Sequence, residues 1–170
     1  MPSVEELNQL PVQAAREALG PCCSSTLWVD AVVAGRPYPG IDALLAASDA
    51  AVTALGEQDL AEALAGHPRI GDWRVTATGW SSQEQAGVAS ADSELRQALA
   101  EGNAAYERRF GHIYLACATG RNAAELLAFL TDRLGNDRAA EWPVVAAELA
   151  KINRIRLRKL VGDAGSGDTA

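Results

Sequence analysis

Apolar residues recur at three- and four-residue steps along almost the whole chain, the period of a helix that buries one face. Helix boundaries punctuate that pattern. Ser3 precedes "VEELNQL" with Glu6 three residues on, the capping-box spacing. Pro11 suits the first turn of "PVQAAREALG", which Gly20 closes, and Ser24 or Ser25 caps "TLWVDAVVAG". "GIDALLAASDAAVTALG" and "EQDLAEALAG" follow, then a long run from the serine pair at 81–82 to Gly111, then "RNAAELLAFLTDRLGN" and "RAAEWPVVAAELAKINRIRLRKLV". One segment leans towards β: "HIYLACATG", 112–120, set between Gly111 and Gly120. A lone strand has no partner, so it reads as extended backbone or a buried helix start. The pattern predicts an all-α, single-domain bundle of about eight helices over residues 1–162, with one short extended segment near 112–118. Residues 163–170 read as a disordered tail.

Composition narrows the setting. A chain of 170 residues with 48% apolar and 22% charged side chains can bury a real core. No apolar run approaches the roughly 20 residues of a membrane span, and the start lacks a basic-then-apolar leader, so cytoplasmic residence is expected. Three cysteines without a CxxC indicate neither a disulfide scaffold nor a structural zinc site. The net charge is −7, yet "KINRIRLRKL" (151–160) holds only positive charges. An acidic body opposes phosphate attraction, so this helix reads as a solvated or partly buried one and no nucleic-acid partner is expected.

Three segments are more specific than helix packing requires. In "GHPRIGDW" (66–73), a histidine-poor chain places His67 on a turn that Gly66 opens and Pro68 stiffens, followed by Arg69 and Asp72. His67 there either caps the preceding helix's carbonyls or presents an imidazole to a ligand; a metal set of His67, Asp72 and Glu84 lacks any recognised spacing. In "WSSQEQAG" (80–87), Ser81 and Glu84 have capping-box spacing. The same hydroxyl, carboxylate and Gln85 amide also suit a small polar ligand rich in carbonyls and N–H groups. In "YERRFGHIYLACATGR" (106–121), unpaired extended backbone can read a flat, amide-rich ring while its side chains stay buried.

Together, "HPRIGD", "WSSQEQAG", "RFGHIYLACATGR" and the later "KINRIRL" resemble the 2-oxo-4-hydroxy-4-carboxy-5-ureidoimidazoline (OHCU) decarboxylases of urate breakdown. The resemblance implies an all-α fold, a homodimer, no metal or organic cofactor, and conversion of OHCU to (S)-allantoin and carbon dioxide. Carried over by position, the catalytic histidine falls on His67 and the family's Ser-x-x-Glu-Gln element on Ser81, Glu84 and Gln85; the chemistry then suggests His67 and Glu84 as an acid–base pair. Substrate contacts fall on Pro68, Ser81, Gln85, the backbone of Tyr114, Leu115, Ala116, Cys117 and Ala118, and on Arg156. Gln85 here runs straight into Ala86 and Gly87, whereas some relatives have two more residues between the Glu-Gln pair and Ala-Gly. The substrate explains the missing cofactor: its carboxylate sits beside a ring C=N bond that accepts the electrons left behind. What an enzyme must add is a positioned acid or base, and an imidazole titrates in the right range.

Overall fold

The structure, a computed structural model, describes residues 2–72, 80–88 and 91–163. Nine helices occur among them: α1 (Val4–Gln9), α2 (Val12–Leu19), α3 (Thr26–Ala34), α4 (Ile41–Thr53), α5 (Glu57–Ala65), α6 (Trp80–Glu84), α7 (Ser93–Phe110), α8 (Ala123–Leu134) and α9 (Arg138–Leu160). No strand occurs among the described residues. The all-helical expectation holds, with one subdivision. The long run expected from the serine pair to Gly111 is two helices, because Asp92 opens a new one by accepting from the Leu95 N–H at 2.8 Å. Gly111 then ends α7 in the left-handed region, φ 79°, where a side chain would be strained. Of the tail expected to be disordered, Asp163 is described and pairs with Arg158; 164–170 lie outside the described residues.

The chain divides into two compact units. The first holds the residues up to Gly66 together with those from Ala150 onward; the second runs His67–Leu149. In the first, Ser3 and Glu6 form the expected capping box at α1, and Ser25 caps α3 by accepting from the Trp28 N–H. Ser24 takes another task, donating to the Glu62 carbonyl at 2.8 Å near the end of α5. Trp28 is fully buried between α3 and α4 and donates to Ser48. Within the basic stretch of α9, Arg154 pairs with Asp49 at 2.9 Å and Arg156 is buried.

In the second unit, α7 and α8 pack closely because Gly102 admits the end of Leu130; a Cβ there would lie 2.5 Å from it. Tyr106, Phe110, Tyr114, Leu126 and Leu130 fill the centre. Residues 113–118 belong to neither helix nor strand, and Gly120 closes them at φ 79°. No described helix is long and apolar enough to cross a membrane.

Candidate active site

The histidine turn is built by its backbone. Gly66 closes α5, its N–H reaching the Ala63 carbonyl at 3.3 Å; a Cβ on it would meet Ser24 Oγ at 2.4 Å. His67 and Pro68 follow, both half-buried, and Ile70 turns into the core. Gly71 adopts φ 76°, which reverses the chain. Two side chains then fix the turn. Gln85 accepts from the Gly71 N–H at 3.0 Å and donates to the Arg69 carbonyl at 3.4 Å, while Asn103 of α7 donates to the Ile70 carbonyl at 2.9 Å. Arg69 reaches Glu107 with two nitrogens, at 2.7 to 3.1 Å. A cavity of about 310 Å³ opens beside the turn, lined by Arg69, Ile70, Gly71, Asp72, Asn103 and Glu107 with two alanines of α7.

The second segment abuts both others. Ser81 is half-buried and lies inside α6, one residue past Trp80, rather than at the N-cap position its spacing to Glu84 suggests. Glu84 is buried, 9% exposed. Past it, Gly87 lies so close to Arg121 that a Cβ would come within 2.5 Å of the Arg121 carbonyl oxygen.

The third segment runs through the core. Tyr114, Leu115, Ala116, Cys117 and Ala118 are all buried, and the Tyr114 hydroxyl donates to the Leu126 carbonyl at 2.9 Å. Burial pushes the Cys117 thiol above its ordinary range, a backbone hydrogen bond at Thr119 opposes this, and Glu148, Arg121 and Glu84 all act on it electrostatically. Arg121 and Glu148 pair at 2.9 Å, with Glu148 only 1% exposed.

Of the residues singled out by sequence, His67, Pro68, Ser81, Glu84, Gln85 and Tyr114–Ala118 fall in one unit, and Arg156 in the other. Arg156 is 5% exposed and donates to the Cys22 carbonyl at 3.4 Å. Among the described residues no three His, Cys, Asp or Glu side chains assemble into a possible metal site, so His67, Asp72 and Glu84 do not form the ligand set considered above. His112 belongs to an aromatic cluster with Tyr106, Phe110 and Trp142.

Sequence reasoning passed over a buried ionic network. Arg133, 2% exposed, donates through Nε to Glu141 at 2.6 Å and through Nη1 to the Leu115 carbonyl at 2.6 Å. Tyr106 donates its hydroxyl to the same Glu141 carboxylate, and Asn136 donates to its other oxygen at 3.0 Å. The signal was register. Leu126, Leu130 and Arg133 share one helical stripe, as do Glu141, Val145 and Glu148, so charges occupy apolar positions.

Comparison with known proteins gives a consistent result. The family model described as OHCU decarboxylase matches residues 8–158. The Arabidopsis thaliana uric acid degradation bifunctional protein TTL is 30% identical over 148 residues, 84% of this chain and 46% of that protein. The 2-oxo-4-hydroxy-4-carboxy-5-ureidoimidazoline decarboxylase of Amia calva is 34% identical over 87 residues, 51% of this chain and 50% of that protein. The chain thus spans about half the length of these two relatives. An OHCU decarboxylase crystallised in the presence of (S)-allantoin superposes with a TM-score of 0.76 at 28% identity, covering 87% of this chain and 99% of that one.

Proposed function

Since the chain belongs to the OHCU decarboxylase family, we propose that it decarboxylates OHCU to (S)-allantoin, with His67 and Glu84 as its acid–base pair. The observation that carries this reading is the meeting of the three segments within one unit. Gln85 ties α6 to the turn that bears His67, and Gly87, three residues past Glu84, packs against the Arg121 backbone that follows the third segment.

The chemistry asks little beyond position. Carbon dioxide leaves from the carbon next to the ring C=N, the electron pair passes into that bond, and the resulting enol-like species takes a proton on one face. Spontaneous decay has no facial preference and yields a racemate. His67, half-buried on a turn whose backbone is held at Arg69, Ile70 and Gly71, handles that proton; a positioned group of this kind contributes about 10²–10⁴-fold. Glu84 holds the substrate hydroxyl or orients the imidazole. Gln85 commits one N–H and one lone pair to the turn, which leaves a second of each for the ligand. Pro68 and Ser81 line the site, Tyr114–Ala118 contribute backbone groups, and the role of Arg156 rests on the family pattern. A carboxylate clamped by arginine would be stabilised in the ground state, so Arg156 faces the ureido or ring carbonyl oxygens.

The test is circular dichroism during urate oxidation with hydroxyisourate hydrolase present. Faster appearance of optically active (S)-allantoin upon adding this protein is expected; a racemic product at an unchanged rate overturns the reading. A homodimer and cytoplasmic residence belong to the same proposal, the first testable by elution at twice the chain's mass and the second by cell fractionation.

A further inference from the structure

Arg133 lies outside every residue assigned above, yet it makes a hydrogen bond that controls one of them. Its Nη1 donates to the Leu115 carbonyl at 2.6 Å, in the middle of the segment whose backbone the proposal gives to the ligand. The guanidinium itself cannot turn. Glu141 holds Nε at 2.6 Å, the Tyr106 hydroxyl lies 3.3 Å from Nη2, and the rings of Tyr114 and Phe129 each stand 4.9 Å from its central carbon. Glu141 is fixed in turn by Tyr106 and by Asn136.

The consequence for the backbone is elementary. Among the described residues the cis peptide bond is Arg36–Pro37, so the Leu115–Ala116 peptide is trans and its N–H points opposite to its C=O. A carbonyl fixed on the Arg133 side aims the Ala116 N–H away from that side. A peptide in an irregular segment has no ladder to set its orientation, and here one buried cation sets it. We propose that Arg133 is a positioning residue of the reaction. Clamped by Glu141, it fixes the Leu115–Ala116 peptide plane so that the Ala116 N–H donates to a carbonyl oxygen of the urea-like ligand. The inference rests on the decarboxylase reading and names one donor within it.

The experiment compares Arg133→Lys with Tyr106→Phe in the coupled assay and follows the Ala116 amide by NMR while (S)-allantoin is added. Lysine keeps the charge opposite Glu141 but cannot hold Glu141 and Leu115 together. Phenylalanine strips a hydroxyl from the network and leaves the Arg133 contact to Leu115 in place. Expected for Arg133→Lys is a KM roughly five- to tenfold higher with kcat within about twofold, the pattern of a lost ground-state contact of one hydrogen bond. Tyr106→Phe, which loosens Glu141 but keeps the Arg133 donor to Leu115, lowers Tm and raises KM by less than Arg133→Lys does. In the wild type the Ala116 amide resonance shifts on titration. Equal KM in wild type and Arg133→Lys, or an Ala116 amide that stays still while neighbouring resonances move, overturns the proposal. The NMR arm decides even if Arg133→Lys does not fold. A wild type that yields no optically active product condemns the reaction itself, whereas an active wild type with an unaltered Arg133→Lys condemns the clamp alone.

Discussion

The ion pairs of the two units differ in burial. In the first, the ion pairs Arg16–Asp30 and Arg154–Asp49 sit in solvent, every partner more than a third exposed. In the second, Arg133–Glu141 is sealed at 2% and 1% exposure, and Glu148 is 1% exposed beneath Arg121. Exposed pairs of that kind contribute about 0–1 kcal/mol, while burying an ion pair costs several kcal/mol per ion before geometry and hydrogen bonds offset it. Hydrophobic residues would fill the same volume more cheaply, so stability alone gives little reason for the buried pair. The difference is instructive because the buried charges stand beside the expected ligand-binding backbone and the exposed ones stand on outer helix faces. The buried pair of the second unit specifies geometry; the exposed pairs of the first keep a helical surface wet.

The sharpest way to break this contrast is Arg133→Met. It strands Glu141 and removes the donor to Leu115, and a loss of about 3–5 kcal/mol in a urea melt is expected. A loss below 1 kcal/mol would place this pair with the surface ones. Gly87→Ala comes next. Its methyl would meet the Arg121 carbonyl oxygen, a backbone atom that cannot swing aside, so a loss of about 1–3 kcal/mol together with reduced activity is expected.

A third prediction concerns groups that stay neutral because they are buried. Burial pushes the Cys22 thiol from 9.0 up to about 12, with the Arg156 charge opposing. The unfolded thiol ionises from about pH 9 and the folded one does not, so its contribution is intact below pH 9 and fades as pH rises towards 12. A fall on the order of a few kcal/mol across that window is expected, flattened in Cys22→Ala. The Tyr106 and Tyr114 phenols of the second unit, also raised by burial, extend the same decline to higher pH. The smallest effect belongs to the surface: Asp30→Asn shifts the urea midpoint by the equivalent of less than about 1 kcal/mol, and adding salt reduces even that.

Much of this was legible in the sequence, for identifiable reasons. Helix ends obey local rules, so Ser3 with Glu6, Gly20 and Gly111 marked their boundaries without reference to the rest of the fold. Glycines on both flanks likewise marked 112–118 as a segment apart. The break between α6 and α7 was hidden because apolar residues continue through it, and only the approach of Gly87 to Arg121 and the cap at Asp92 explain it. Ser81 misled for the converse reason: the right spacing to Glu84 occurs one residue inside a helix that has already begun. Arg133, Glu141 and Glu148 were passed over because a charge on a helix reads as solvent-facing. Their register with Leu126, Leu130 and Val145 pointed inward, but which partner each meets depends on how α8 and α9 pack, which periodicity does not encode.

The central claim is that one imidazole on the turn opened by Gly66 delivers the stereochemistry. Its most direct measurement is the optical activity of allantoin formed by His67→Asn, with (S)-allantoin binding followed in parallel. The account predicts a folded protein that still binds (S)-allantoin yet yields product no faster and no more enantiopure than spontaneous decay. Wild-type rates of (S)-allantoin formation in that variant would contradict it.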